Sequence, residues 1–418
     1  MITPHQSRHT PSARTRNGNE ARSMTTRSAT LAGTGVSNTS RHAGGQAAGG
    51  RGYVGTAVRR ARVLSWCIAL FALMAVETPG AVPPPQAGYV IVISVDGMGT
   101  AYVKPLLTGG PATELTTFKR IQAEGSGTLN ARDDADFAIT LPNHVTMLTG
   151  RGVAGPAGHG WTSNTDPKRT EDLTSNKGSY VASAFDVAHD HGLRTGIWSG
   201  KSKFRLFHKS YGATTGAEDR TGPDNGRDKI DCEKIVPGIA AADLTDDFVR
   251  QMAASPCHFA FLHYQDPDAT GHASGWSAAP TSPYAATLKK VDTAIGRVLQ
   301  MVTDNPRLAG KTVVILTADH GGHDKTHGNT TNPLDYTIPF YVWGAAVPAA
   351  GDLYAMNATS RTAPAAAANP PYTGRQPIRN GDAANLALRL LGLGPVPGST
   401  INSKQDLSTA AKTAVTIP

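Results

Sequence analysis

The stretch "KTVVILTADHGGHDKTHG", Lys311–Gly328, sets the reading of the chain. Its first half is an apolar, β-branched run without the alternation of a half-exposed strand. Its second half packs three histidines and two aspartates between Thr317 and Gly328. An unbroken apolar run suits a strand covered on both faces, as in a parallel sheet with helices on each side. Similar runs occur at "GYVIVISV" (88–95), "HFAFLHY" (258–264) and "TIPFYVWG" (337–344). Helical patterns lie between them at 179–192, 243–254 and 282–305, with Gly192 placed to end the first. The fold class expected is therefore α/β: a doubly wound, mostly parallel sheet with helices on both faces. The Lys-, Gly- and Asp-rich segment 199–237 reads as a loop or small cap insertion. The Ala-, Pro- and Asn-rich segment 345–380 reads as a surface loop.

In such a sheet chemistry gathers beyond the carboxyl ends of the strands. Asp96 follows the first run, Asp268 and His272 the second, and Asp319 and His320 the third, with His327 shortly after. Mixed carboxylate and imidazole donors suit zinc and, less well, manganese or iron. If the turn holding Asp268 and His272 is helical, the spacing puts both on one face. His323 and Asp324 read as loop polar groups or partners of the ligands, and His263 and Asp266 as ordinary polar residues. "FAITLPNHVTMLTG" (137–150) places Thr140 near a helix N-terminus, where N–H groups and the dipole favour anions. The residues alone leave open whether Thr140 is a helix cap or a nucleophile.

The 418 residues carry a formal charge of +8. Residues 1–63 hold ten arginines and one acid, a net of +9, so the remainder stands at −1. The basicity belongs to the front piece, which argues against nucleic-acid binding by the folded part. Residues 1–57 are too poor in large apolar side chains to offset chain entropy, and read as a disordered or non-native extension. Residues 58–81 read as a signal peptide: Arg59, Arg60 and Arg62 precede the uncharged run Val63–Val76, which suits an export signal better than a membrane span. Export to the periplasm or beyond is expected. A linker at 82–87 leads to one domain at 88–410. Cys67 falls in the signal. Cys232 and Cys257 are either a disulfide pair or two unrelated thiols.

Taken together the motifs resemble the alkaline phosphatase superfamily, and within it the nucleotide pyrophosphatase/phosphodiesterase branch. "VISVDGM" resembles the strand whose aspartate binds a zinc, and "TLPNH" the branch's threonine-nucleophile motif "TFPNH". "HGWTSN" places Asn164 where the family holds a phosphoryl oxygen. "DPDATGHASG", "TADHGG" and "THG" resemble its remaining ligand motifs, and "GDAANLALRLLGLGPVPGSTIN" (381–402) its closing helix. The resemblance implies two zinc ions, manganese or another divalent metal being the substitute. Asp96, Asp319 and His320 with Thr140 would hold one, and Asp268, His272 and His327 the other. Only eight residues separate Asp319 from His327, so His323 competes for the last position. The resemblance further implies a phospho-threonine intermediate, with Asn164 and N–H groups near Asn143 on the phosphoryl oxygens. Lys201 and Lys203 are candidate phosphate contacts, and Phe204 or Phe207 either stacks on a base or fills the core. His144 stands where a sulfatase motif carries arginine. The function expected is cleavage of a small phosphodiester or pyrophosphate, a nucleotide among the candidates. A phosphomonoesterase or phosphonate hydrolase, and more distantly an exported metal-binding protein without turnover, are the alternatives.

Overall fold

A computed structural model describes residues 85–110, 114–218 and 227–409. The extension at 1–57 and the signal at 58–81 lie outside the described residues, as do the first three residues of the linker.

Eight strands form one sheet: β1 (Tyr89–Val95), β2 (Ser126–Arg132), β3 (Thr195–Ser199), β4 (Cys232–Ile235), β5 (Phe259–Tyr264), β6 (Thr312–Thr317), β7 (Thr337–Gly344) and β8 (Gly351–Asp352). Their spatial order is β4-β3-β5-β1-β6-β7-β2-β8. β7 runs antiparallel to both β6 and β2, and every other pairing is parallel. β1 lies between β5 and β6, and all three are almost wholly buried, which explains their unbroken apolar sequences.

Two groups of helices flank the sheet. Ala241–Ala254, Asp266–Ser274 and Thr116–Glu124 pack on the long helix Pro283–Asp304. That helix starts on Ser282, whose side chain accepts from Ala285 N, and on a proline at its first position. Thr140–Thr149 and Ala184–Asp190 pack on Asp382–Leu390. All ten residues of Thr140–Thr149 are buried, and it ends at Gly150 in the left-handed region (φ 61°), where a Cβ would sit 2.9 Å from Asn385 Nδ2. Among the described residues no helix is long and apolar enough to cross a membrane.

Two expectations need correction, and one left open is decided. The segment 199–237 is not only a loop or cap. It begins with a 3₁₀ turn (Ser202–Phe204) and the helix Arg205–Tyr211, then supplies β4, the sheet's edge strand. Nor is 345–380 a mere surface loop. It contains β8, and its Arg361 and Arg379 are buried, Arg361 bonding Asp382 and Asn402 and Arg379 donating to Asp133 O. Buried guanidinium groups need such partners, and they tie the excursion to the domain. Cys232 and Cys257 are free thiols.

Candidate metal centre and active site

The sheet delivers its charges where expected. Asp96 follows β1, Asp319 and His320 follow β6, and Asp268 lies in the helix Asp266–Ser274 that follows β5. The loops close tightly because Gly97 takes φ 71°, and a Cβ there would meet Asp268 Cα at 3.0 Å. Two groups of ligand atoms gather within 4.8 Å: Asp96 with Asp319 and His320, and Asp268 with His320 and His327. His272 falls outside both. It sits on the rim with 45% of its side chain exposed, although its Nε2 lies 3.3 Å from Asp268 Oδ1.

Each of the three carboxylates has one oxygen held and one left over. Asp319 Oδ1 accepts from Gly97 N (3.0 Å) and His320 N (2.9 Å). Asp96 Oδ2 meets His263 Nε2 (3.0 Å) and Lys201 Nζ (2.6 Å). Asp268 Oδ2 accepts from Lys201 Nζ (2.6 Å). The second oxygens, Asp96 Oδ1, Asp268 Oδ1 and Asp319 Oδ2, are buried without a hydrogen-bond partner.

The histidines are arranged the other way round. Nδ1 of His272, His320 and His327 each lies against a backbone carbonyl, of Lys325 (3.0 Å), Gly321 (2.8 Å) and Ala138 (2.9 Å). A carbonyl only accepts, so each Nδ1 carries the proton and each Nε2 presents a lone pair. Those lone pairs face the orphaned oxygens: His320 Nε2 is 3.5 Å from Asp96 Oδ1 and 3.2 Å from Asp319 Oδ2, and His327 Nε2 is 3.6 Å from Asp268 Oδ1. Lone pair against lone pair is repulsive unless a cation lies between. The residues therefore fit a divalent metal centre, and buried oxygen with imidazole donors suits zinc.

Charge in the site is correspondingly tuned. Burial opposes ionisation of Asp96, but Lys201 and then His263 hold its carboxyl well below the usual range. Burial and the neighbouring Asp96 push Asp319 well above it. Burial, with His320 alongside, brings His327 down to about 3, which keeps its imidazole neutral and able to ligate.

Thr140, 1% exposed, opens its helix with Oγ1 3.3 Å from His320 Nε2. Asn164 stands across from it, its Oδ1 accepting from Leu141 N (2.9 Å) and Lys203 Nζ (3.1 Å). The Asn143 side chain does not join them. Its Oδ1 accepts from Asp134 N and Asn380 Nδ2, and its Nδ2 donates to Phe137 O and Ile139 O, so its amide is used up in holding the loop ahead of the helix. His323 is bound to Asp335 (2.6 Å) and lies outside both groups of ligand atoms, one of which includes His327. Phe204 and Phe207 are fully buried in the core and offer no face to a base.

Two contributors escaped the sequence reading. Trp276 slots against Gly271 and Gly322, where a Cβ would come within 2.5 and 2.4 Å of its ring, and donates to Gly97 O (2.8 Å), so one indole braces all three ligand loops. His263, read as an ordinary polar residue, bonds Asp96 directly.

His159 fixes the Asn164 loop to the Thr140 helix. Its Nδ1 accepts from Trp161 N (3.0 Å), so its Nε2–H donates to Thr146 Oγ1 (3.1 Å). Burial lowers its pKa from 6.5 to about 3. Because the folded value lies below the unfolded one, this stabilisation is complete above pH 6.5 and is lost as pH falls from 6.5 toward 3. At 1.36 kcal/mol per pH unit the loss at pH 5 is about 2 kcal/mol. Urea unfolding at pH 7 and pH 5 is expected to show at least that loss, other buried histidines adding to it, and His159→Gln to reduce it by about 2 kcal/mol.

This chain belongs to the type I phosphodiesterase/nucleotide pyrophosphatase family, whose model matches residues 90–371. Among solved structures, murine ectonucleotide pyrophosphatase/phosphodiesterase 5 is similar at TM-score 0.51 and 15% identity, covering 77% of this chain and 100% of that one. An alkaline phosphatase superfamily protein from Vibrio parahaemolyticus gives TM-score 0.50 and 13% identity over 78% of this chain and 71% of its own. At these identities the likeness is one of fold. A 2,3-bisphosphoglycerate-independent phosphoglycerate mutase from Haloquadratum walsbyi is 31% identical over 112 residues, 25% of this chain and 20% of that protein. The corresponding Rhodopirellula baltica mutase is 28% identical over 111 residues, 25% of this chain and 19% of that protein. The chain thus spans about a fifth of the length of the curated relatives it matches.

Proposed function

We propose that the protein is a metal-dependent hydrolase of phosphodiester or pyrophosphate bonds in which Thr140 is the nucleophile. The observation that carries this is the placement of Thr140 Oγ1, 3.3 Å from the lone-pair nitrogen of His320 and beside three carboxylates with an oxygen to offer. Asp96, Asp319 and His320 would hold one divalent ion, and Asp268, His327 and the rim residue His272 a second, with zinc the expected metal. Such ions supply Lewis acidity toward the phosphoryl group and ease ionisation of a hydroxyl. Thr140 then attacks phosphorus through Oγ1, the ester oxygen leaves, and a phospho-threonine forms that water hydrolyses. Asn164, its oxygen taken by Leu141 N and Lys203 Nζ, turns its amide nitrogen to a phosphoryl oxygen. The family membership supports this reading. So does a second structure of the murine neighbour, an inactive threonine-to-alanine variant in complex with AMP, which makes a nucleotide ester a reasonable first substrate. We also propose export, which fractionation of expressing cells would test.

The placement of Lys201 and Lys203 favours a second reading, a monoesterase. Both ammonium groups reach the site, one onto Asp96 and Asp268 and one onto Asn164. A dianionic ester gains more from two cations than a monoanionic diester does. Hydrolysis of bis-nitrophenyl and mono-nitrophenyl phosphate separates the two. Preference for the diester, with Lys203→Ala losing little, is expected for the phosphodiesterase. Preference for the monoester that collapses in either lysine variant would establish the alternative.

A further inference from the structure

A row of polar residues crosses the sheet just beneath the site. Ser199 of β3, His263 of β5, Ser94 of β1 and Thr317 of β6 stand side by side in register, all fully buried. Two residues further along, three of these strands deliver Lys201, Asp96 and Asp319. Buried polar side chains need partners, and two of the four bond to neighbouring elements, one of them to His144, whose Nδ1 meets Thr140 O (2.7 Å). Thr317 Oγ1 donates to Pro339 O (2.9 Å) and Ser94 Oγ pairs with His144 Nε2 (2.9 Å). The other two form a chain that reaches the site. Lys201 N donates to Ser199 Oγ (3.1 Å), Ser199 Oγ meets His263 Nδ1 (2.9 Å), and His263 Nε2 meets Asp96 Oδ2 (3.0 Å).

The direction of this chain follows from its ends. A carboxylate only accepts, so the proton on His263 sits at Nε2 and is given to Asp96. Nδ1 is then an acceptor and takes the Ser199 hydroxyl proton, which leaves the serine oxygen to receive the Lys201 amide. Every donor and acceptor along it is used. The ring has little freedom to turn, with Phe204 tilted over it at a centroid distance of 4.2 Å and His144 edge-on at 4.7 Å.

We propose that His263 is a positioning residue that ties the Asp96 carboxylate to the backbone of Lys201, so that metal affinity and the placement of the lysine are set by one imidazole. By anchoring Oδ2 it turns Oδ1 toward the site, and by bonding Ser199 it fixes the residue from which the lysine side chain departs. This rests on the reading of Asp96 as a ligand and, for the KM readout, on the second reading above, in which Lys201 meets the ester.

The full chain loaded with zinc carries the test, in His263→Phe, His263→Gln and Ser199→Ala forms. The readouts are zinc affinity by chelator competition, kcat and KM for nitrophenyl phosphate esters, and melting temperature. His263→Phe is expected to weaken zinc binding about 10- to 100-fold, the usual effect of losing a hydrogen bond behind a metal ligand. His263→Gln, which keeps a donor toward Asp96, is expected to restore most of that affinity. Ser199→Ala is expected to raise KM while leaving zinc affinity in place. A lower melting temperature in all three, with zinc affinity and KM unmoved, would overturn the proposal and leave a structural role. Should the phenylalanine form fail to fold, the glutamine and alanine forms still decide it: unchanged KM in Ser199→Ala together with unchanged KM in His263→Gln after its serine contact is lost would argue against the coupling. Asp96→Asn separates the premises. If it leaves zinc stoichiometry and affinity unchanged, Asp96 is no ligand and both readings fall. If it removes one zinc while His263→Phe does not shift the affinity, only the link through His263 falls.

Discussion

Thr140→Ala is expected to lower ester hydrolysis about a thousandfold or more, since removing a nucleophile takes away the reaction path and not merely a contact. The same variant should bind its full complement of metal, because the carboxylates and imidazoles that face one another do not depend on the hydroxyl. It should also fold. Thr140 begins a helix with every residue buried, and alanine removes a hydroxyl and one methyl without adding volume. A loss of about 1 kcal/mol or less is expected from that small deletion at a helix start. Metal analysis, thermal melting and turnover measured on one preparation check all three parts. Turnover within a few-fold of the parent would remove Thr140 from the chemistry.

Metal withdrawal is expected to have the other large effect, and on two observables at once. Asp96, Asp268 and Asp319 are buried carboxylates; the first two share the Lys201 ammonium, and each of the three keeps an oxygen without a partner. A chelator should abolish hydrolysis, and zinc or manganese should restore it. It should also lower the melting temperature, because an ion that binds only the folded state stabilises it by about 2.7 kcal/mol at a hundred times its dissociation constant. For a domain of this size that corresponds to a shift of at least a few degrees. His272→Ala, at the exposed rim, should weaken binding less than Asp319→Asn at the buried floor. Activity that persists undiminished in chelator would exclude a metal mechanism.

Much of this was legible in the sequence, for a physical reason. β1, β5, β6 and β7 are covered on both faces, so composition alone marks them, and residues directly after a strand end can point only to the sheet's rim. Asp96, Asp319, His320 and His327 were found that way. β2 was missed because its buried and half-buried positions interleave polar residues beside an irregularity between Thr128 and Ala131. β3 is five residues with a glycine, and β4 is a strand only because β3 offers it an edge. The partners of Asn143 and His323 were not legible, because nearness in sequence does not say which way a side chain turns. His263 and Trp276 act through partners 167 and 179 residues away, Asp96 and Gly97, and no local pattern records that.

The position of β1 between β5 and β6 has a consequence for the protein's birth. The first strand made is the middle one of the three, and Asp96 and Gly97 must wait for partners 167 and 222 residues downstream. A nascent chain that has left the ribosome only as far as β5 offers half a cradle to a passing ion and no water-excluding floor beneath Thr140. A truncated product lacking β6 should therefore be inert, not feebly active, because the cradle around the proposed nucleophile closes only when that strand arrives.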